Sequence, residues 1–358
     1  MTAETPDSEN APAAKPTPWW LWPHVLSLEA PLVAVLWQAA LAHAHGIRLT
    51  PMLSVGLGLA CWVVYLLDRT LDTYAVKNVA ELDVRHQFYH RHRRVLLWGV
   101  IPLALVALGW LALWVIPEGV LWQAVGLALL VALYLASWSA QGSRIVRDVF
   151  VCCAGLGGIM LVSRMPLPSG SRLVLSLLVL GVMVLSFLRQ LDVRMGHVLP
   201  KELTAALLFA MGCTTSTRFF AMPETIKEPV LECMLLALLF ACNLQMISRH
   251  EAEEERGAGS ASVTGRSREP LMLAGTLACF MTLLVLVSGG VVEQSLRGLL
   301  MIYAGCGVMT LNYLVYGWHR RVSADAYRVL ADLALILPLP LVWMPECLAA
   351  LRQYFHVA

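Results

Sequence analysis

Residues 51–72 read PMLSVGLGLACWVVYLLDRTLD, an apolar run that closes on Asp68 and Asp72. A helix needs roughly 20 mostly apolar residues to cross a bilayer, and this run has about that length. On a helix, carboxylates four positions apart share one face, with their Cβ atoms about 5 to 6 Å apart. Because two like charges at a membrane boundary repel each other, the pair favours either full solvation or a cation bound between the two groups.

A second acidic pair closes another apolar segment much later in the chain. Residues 242–257 read CNLQMISRHEAEEERG, in which Glu251 and Glu255 repeat the spacing of the first pair. If the two pairs meet, a divalent metal ion is the natural ligand for their oxygens. Each pair also has a simpler interpretation, since the glutamates could begin a solvated Gly- and Ser-rich loop and the aspartates could cap polar turns.

The composition predicts an all-α, polytopic membrane protein. Of the 358 residues 58% are hydrophobic and only 14% are charged, and the apolar residues form long blocks without helix or strand periodicity. Candidate spans lie near residues 27–46, 50–67, 95–116, 119–139, 148–163, 172–188, 202–219, 229–247, 270–290, 296–317 and 327–345. We therefore expect about eleven spans. The segment 148–163 is short and glycine-rich, and it could be re-entrant.

The distribution of Lys and Arg predicts the orientation in a cell membrane, because loops rich in these residues stay on the cytoplasmic side. With about eleven spans, most basic residues fall on one side, including the clusters within 85–94 and 249–268. Both acidic pairs and the N-terminus then face the cytoplasm. Residues 1–18 predict a disordered cytoplasmic tail, and residues 19–358 a single transmembrane domain with acidic motif loops at 65–94 and 243–268.

Several functional classes are disfavoured by the composition. The nine cysteines show no Cys-x-x-Cys spacing, so a thiolate metal site and a disulfide framework are both unexpected. The formal net charge of +2 is too small to suggest nucleic acid as a partner. The expected partners are instead membrane lipid and small molecules.

The polar stretch after the second span combines acidic and basic groups. Residues 65–94 read YLLDRTLDTYAVKNVAELDVRHQFYHRHRR, in which carboxylates, Asp68 and Asp72 among them, precede a cluster of Arg and His from Arg85 to Arg94. Carboxylates beside guanidinium groups suit a diphosphate, because Mg²⁺ bridges its oxygens to acidic side chains while arginine balances the remaining charge. Without the aspartates, the same basic cluster would indicate only the positive-inside anchor of the third span.

Four stretches resemble the UbiA-type intramembrane prenyltransferase superfamily, as in a divergent bacterial member. The D-R-x-x-D pattern of Asp68–Asp72 is similar to the first motif of the family, Asn-x-x-x-Asp-x-x-x-Asp, with Val64 at the asparagine position. The stretch LPKELTAALLFAMG at 199–212 resembles the lysine-led fifth core helix. Residues 242–257 resemble the span with the second acidic motif, with glutamates in place of aspartates, and DAYRVLADLALILP at 325–338 is also similar to divergent bacterial members.

The resemblance implies nine core transmembrane helices around a cavity that opens to lipid, plus about two extra transmembrane helices in this chain. It implies Mg²⁺-dependent transfer of an isoprenyl group from a prenyl diphosphate to a lipid-soluble or amphipathic acceptor, hydrophobic or aromatic, within the membrane. The implied catalytic residues and metal ligands are Asp68, Asp72, Glu251 and Glu255. The implied substrate-binding residues are Tyr65, Arg69, Arg144, Lys201, Asn243 and Arg249.

Other interpretations stay open. A different alignment makes Arg144–Gly158 the fifth core helix and places the second motif near Asp192, which offers a single carboxylate. A small-molecule transporter would use Asp332 and Arg328 in its pathway, although these two residues could also simply pair with each other. A catalytically inactive prenyltransferase-fold protein is the third alternative, because Val64 and the two glutamates depart from the motifs of the family.

Overall fold

A computed structural model describes residues 18–73, 84–138, 201–221, 227–257, 296–318 and 321–349, with isolated positions between 155 and 184 and at 277 and 280. Over these residues the chain is all-helical. The helices are α1 (Trp22–Val25), α2 (Glu29–Ala44), α3 (Pro51–Asp72), α4 (Val84–Val95), α5 (Ile101–Trp114), α6 (Glu118–Trp138), α7 (Lys201–Ala221), α8 (Lys227–Gly257), α9 (Leu296–Gly317) and α10 (Ala324–Ile336). Single 3₁₀ segments precede α1 and follow α10, at Trp19–Leu21 and Leu339–Trp343.

The described helices include several that suit a membrane. Five segments are long and apolar enough to cross one: Pro51–Thr70, Gln87–Trp114, Val230–His250, Leu300–Gly317 and Asp325–Ala349. A sixth arises if the bent pair Trp19–Val25 and Glu29–Ala44 counts as one span. All of them overlap predicted spans. The all-helical class is confirmed, because the described residues form helices without strands. The count of about eleven spans and the nine-helix bundle stay predictions, and residues 1–17 lie outside the described part.

The outer face of α5 is apolar and open. Leu103, Val106 and Leu113 are 72%, 70% and 77% exposed, and they recur at the spacing of one helical face. Large apolar side chains lined up in this way are costly in water. The face is therefore compatible with contact to lipid.

The main core forms where α2 packs against α8 and α10. Val33, Trp37 and Leu41 are almost fully buried on the inner face of α2. The rings of Trp37 and Phe240 meet edge to face, with centroids 5.8 Å apart, a favoured geometry for aromatic pairs. The indole N–H of Trp37 donates to the carbonyl of Leu335 at 3.2 Å, which fixes α10 against α2.

A buried polar network joins α2, α3 and α7. Gln38 is 1% exposed. Its amide donates to Oγ of Ser216 at 3.1 Å and accepts from Oγ of Ser54 at 2.8 Å. Because an unpaired amide is costly in an apolar interior, these bonds favour one relative position of the three helices.

Replacing Gln38 with Leu is expected to lower the free energy of unfolding in detergent by about 1 to 2 kcal/mol, because two serine hydroxyls lose their partner. Unfolding followed by tryptophan fluorescence measures the change. Gln123→Leu, at a half-buried position on α6, is the matched control and should change stability little. An equal loss in both variants would contradict a specific role for the network.

The chain turns sharply between α1 and α2, whose axes differ by 78°. The N–H of Ser27 donates to the carbonyl of His24 at 3.0 Å, and the N–H of Leu28 donates to the carbonyl of Pro23 at 2.9 Å. This pair of bonds is a Schellman cap, which needs a left-handed residue and usually has glycine there. Ser27 takes this conformation with a φ of 53°, and its hydroxyl lies 2.9 Å from that of Tyr89 on α4.

Both acidic motifs lie on helices within the segments 65–94 and 243–268, of which residues 74–83 and 258–268 lie outside the described part. Helix α3 continues through the first motif to Asp72, where a loop was expected. The next helix described, α4, begins at Val84. The second motif lies on the last turns of α8, which reaches Gly257. A π-helical turn at Leu96–Val100 joins α4 to α5, just before Pro102. Pro102 has no N–H to donate to the preceding helical turn, and this missing hydrogen bond accounts for the π-helical turn.

The helix directions define two ends of the bundle. At one end α3 and α8 finish while α2, α4, α7 and α10 begin, and we call this the acidic end. Here Oγ of Ser248 on α8 donates to Oε1 of Glu202 on α7 at 3.2 Å. At the opposite end, His45 after α2 lies 3.0 Å from Glu232 near the start of α8. The two acidic helix ends therefore lie at the same end of the bundle.

Candidate functional site

The end of α3 lies close to α10. Tyr65 lies within electrostatic reach of Asp68 and Arg69 on its own helix, and of Asp332 on α10. Both Tyr65 and Asp332 are half-buried. The first acidic motif therefore begins one turn after a half-buried position at which α3 approaches α10.

The end of α8 is held at the acidic end by two aromatic contacts. The guanidinium of Arg249 lies over the ring of Tyr316 on α9, 5.4 Å from its centroid, within the range of a cation–π interaction. The ring of His250 lies 4.4 Å from that of Tyr327 on α10. These contacts fix the helical turn that leads into Glu251.

A buried group of His24, Glu29 and Asp332 lies beside the end of α3, and we call it the acid trio. Nδ1 of His24 lies 2.6 Å from Oε2 of Glu29, and the two side chains are 2% and 16% exposed. The carboxyl groups of Glu29 and Asp332 are also in hydrogen-bonding contact. Ionised carboxylates only accept hydrogen bonds, so these two can bond to each other only when one of them carries a proton.

Two positively charged arginines lie within electrostatic reach of the acid trio. Arg85 on α4 is 7% exposed, and both it and Arg328 on α10 act electrostatically on the histidine and glutamate of the trio. Arg328 lies 3.8 Å from Asp325, one turn before it. The carboxyl group of Asp332, which the sequence places four residues after Arg328, instead bonds across the bundle to α2. The arginines offset the cost of burying negative charge at this point.

Two buried amides lie further inside the bundle. Asn243 on α8 is 2% exposed, and its Oδ1 has no hydrogen-bond partner in the described part of the chain. Asn312 on α9 is 1% exposed, and both of its amide atoms lack such a partner there. Leaving a buried amide unsatisfied costs about 1 to 3 kcal/mol. Each amide thus has unused hydrogen-bonding capacity toward the described part of the chain.

The structure brings part of the predicted site together. Tyr65, Asp68 and Arg69 cluster at the end of α3. Lys201, which is exposed, and Arg249 lie at the same end of the bundle, and Asn243 is buried nearby along α8. Outside the described part lie the side chains of Asp72, Glu251 and Glu255 and the whole of Arg144.

A metal site is not present within the described side chains alone. No group of three or more His, Cys, Asp or Glu among them is arranged to hold a metal ion. Three of the four predicted ligands fall outside this set, so the predicted Mg²⁺ site stays a prediction. The donor chemistry suits Mg²⁺, since carboxylate oxygens are its preferred protein ligands.

Sequence reasoning missed His24, Glu29 and Asn312. A signal for Glu29 was available, because a carboxylate inside a predicted span indicates function by default. The same applies to a lone amide in the apolar sequence of α9. His24 gave no such signal, because its contact with Glu29 depends on a sharp turn that the sequence marks with serine rather than glycine.

No protein-family model, curated protein or solved structure matches this chain. Over the described residues the chain is all-helical, with several helices suited to crossing a membrane and a group of charged residues at one end of the bundle.

Proposed function

We propose that the chain is an intramembrane prenyltransferase, which transfers an isoprenyl group from a prenyl diphosphate to a lipid-soluble or amphipathic acceptor in a Mg²⁺-dependent reaction. The observation that carries this proposal is the arrival of α3 and α8, each ending in an acidic pair, at the same end of the bundle. Arginines on α3, α4, α8 and α10 lie at that end as well. Acidic and guanidinium groups together suit a metal-bound diphosphate.

Each group at the acidic end has a role in this reaction. Asp68, Asp72, Glu251 and Glu255 would hold Mg²⁺, which offsets the negative charge that develops on the departing diphosphate. Arg69, Arg249 and Lys201 would bind the remaining phosphate oxygens as cationic donors.

The half-buried region around Tyr65 would take the organic part of the reaction. An allylic cation formed on loss of diphosphate reacts rapidly with water, so a protein that uses one must exclude water. The phenol of Tyr65 lies within electrostatic reach of the charged residues Asp68 and Arg69. A hydrophobic or aromatic acceptor would approach this region from the lipid phase.

The direct test uses purified protein in detergent with radiolabelled prenyl diphosphates of several chain lengths, with and without Mg²⁺. We expect binding and diphosphate release that require the metal. Absence of any metal-dependent interaction with all of the prenyl diphosphates would reject the proposal. Binding without release, in the presence of a range of aromatic acceptors, would instead indicate a catalytically inactive member of the same fold.

Asn312 provides a separate prediction. Replacing it with Leu removes two buried polar atoms that have no partner among the described residues, so we expect thermal stability to stay equal or increase. If the amide binds a substrate, prenyl transfer should fall by about 10-fold or more, the value of one lost hydrogen bond to a buried partner. Thr310→Val, at an exposed position on the same helix, is the control. A large loss of stability would show that Asn312 serves the packing alone.

A proton-coupled transporter is the second candidate, and the hydrogen-bonded pair of Glu29 and Asp332 favours it. Shared protons between buried carboxyl groups occur in the relays of membrane pumps and transporters. The two functions differ in a measurable way. A transporter reconstituted in vesicles moves its solute in response to a pH gradient and releases no diphosphate from a prenyl diphosphate.

A further inference from the structure

We infer that the outer surface formed by α1, α4 and α5 binds an anionic phospholipid. The headgroup lies on the exposed arginines of α4, and the acyl chains lie along α5. We call this surface the lipid face. It lies outside the acidic motifs, so its binding does not depend on the proposed function.

The exposed side chains of the lipid face change from charged to apolar within about one helical turn. Arg91 and Arg94 are exposed on α4. Trp98 follows four residues later and is 81% exposed, so the three side chains share one helical face. From Ile101 to Trp114, α5 carries only apolar residues, and its outer face is open. A negatively charged headgroup followed by acyl chains has the complementary order of charge and apolar surface.

The length of the helix places the two arginines at the level of the lipid headgroups. The candidate span runs from Gln87 to Trp114 over 28 residues. Its part from Val95 onward is wholly apolar, and this part alone has about the 20 residues that the hydrocarbon core of a bilayer requires. The first turns, with Arg91 and Arg94, therefore extend beyond the hydrocarbon core. Guanidinium groups at this depth meet phosphate groups rather than acyl chains.

Helix α1 places tryptophan at a similar depth. Its axis differs from that of α2 by 78°, so α1 runs across the direction of the membrane-spanning helix. Trp22 is exposed, yet one edge of its contact surface meets the ring of Phe88 on α4, with centroids 6.2 Å apart. The ring of Phe88 lies 4.5 Å from that of His92, again between centroids. Because tryptophan concentrates at the boundary between lipid and water, α1 supports the headgroup level that the helix length indicates.

Contacts to two other helices hold α1 in this position. The indole N–H of Trp62 on α3 donates to the carbonyl of Leu26 at 2.9 Å. The hydroxyl of Ser27, at the turn after α1, lies 2.9 Å from that of Tyr89 on α4. The tryptophans of α1 are therefore fixed relative to the arginines of α4. A lipid meets a surface that is already formed and does not have to order it.

The charge of the lipid face favours an anionic lipid over other occupants. Within the described part of the chain, neither Arg91 nor Arg94 forms an ion pair. Each arginine near a membrane surface adds attraction for an anionic headgroup, whereas a zwitterionic headgroup carries its own compensating positive charge. A second copy of the chain fits less well, because a two-fold dimer in the membrane would bring the arginines of both copies together at one depth.

Native mass spectrometry of the full-length protein in a neutral detergent tests the lipid face, because it gives the affinity for each bound lipid. We expect the wild type to bind phosphatidylglycerol more tightly than phosphatidylcholine. The double variant Arg91→Gln with Arg94→Gln should lose about 25-fold in affinity for phosphatidylglycerol, about 5-fold for each arginine. Its affinity for phosphatidylcholine should stay unchanged. The double variant Arg91→Lys with Arg94→Lys keeps the charge and should retain most of the binding.

Two further variants separate the lipid face from general effects. Arg48→Gln removes an exposed arginine after α2, at the opposite end of the bundle, and should keep the affinity for phosphatidylglycerol that Arg91→Gln loses. Trp98→Ala should weaken the binding of both lipids equally, because it removes apolar contact and no charge. All of these side chains are exposed, so thermal unfolding without added lipid should match the wild type.

Three results would overturn the inference. The first is equal affinity of the wild type for the two lipids. The second is full binding of phosphatidylglycerol by the double glutamine variant. The third is displacement of bound phosphatidylglycerol by an equal concentration of inorganic phosphate or prenyl diphosphate, because the lipid face would then bind a free phosphate compound instead of a phospholipid.

Discussion

Replacing Asp68 with Asn is expected to reduce Mg²⁺-dependent diphosphate release by at least about 100-fold, because one ligand charge is lost where the metal offsets the leaving group. Asp68 lies near the end of α3, next to Arg69 and within electrostatic reach of Tyr65. The substitution keeps the shape of the side chain, so stability should change little. Release of radiolabelled diphosphate by purified protein in detergent gives the measurement.

Glu251→Gln is expected to have an effect of the same size, since the second acidic motif reaches the same end of the bundle on α8. The matched control is Glu232→Gln on the same helix. Glu232 lies 3.0 Å from His45 at the opposite end of the bundle, and its loss should leave diphosphate release intact. Full activity of both Asp68→Asn and Glu251→Gln would show that these two carboxylates take no part in the reaction.

Arg85→Met is expected to produce the largest loss of stability among the variants considered. Arg85 is 7% exposed and acts on all three members of the acid trio. Removing one partner of a buried charge pair typically costs about 3 to 5 kcal/mol, because the other charge stays buried without compensation. The midpoint of thermal unfolding in detergent, followed by tryptophan fluorescence, should fall accordingly.

The double variant Arg85→Met with Glu29→Gln distinguishes charge from packing. If uncompensated charge causes the loss, neutralising Glu29 should restore much of the stability, and the two effects will not add. Arg91→Met is the control on the same helix, since Arg91 is exposed and its loss should cost little. Additive losses in the double variant would show that Arg85 acts through its packing.

The helices that carry the acidic motifs were predictable, because each is encoded by a continuous apolar run of its own sequence. The apolar run 51–67 and the apolar run 229–247 each form a helix that continues into its acidic pair. Only the extent was wrong. The sequence was interpreted as loop where polar residues begin, but carboxylates at four-residue spacing are compatible with a helix that extends beyond the apolar region.

The acid trio was not predictable because it depends on contacts between distant parts of the chain. Asp332 was recognised as a carboxylate within a span, and its nearest cation in sequence was Arg328. The structure gives Asp332 a partner on α2 instead, and places Arg328 3.8 Å from Asp325. The sharp turn at Ser27 is what brings His24 onto Glu29. No periodicity in the sequence encodes that turn.

The central claim is that the two acidic helix ends bind one metal–diphosphate group together, and a double-mutant cycle on prenyl diphosphate affinity tests it most directly. The affinity of wild type, Asp68→Asn, Glu251→Gln and the double variant is measured at saturating Mg²⁺ and without the metal. We expect each single substitution to weaken Mg²⁺-dependent binding strongly, and the double variant to be little weaker than either. Effects that simply add, or a wild type whose binding does not depend on Mg²⁺, would contradict the claim.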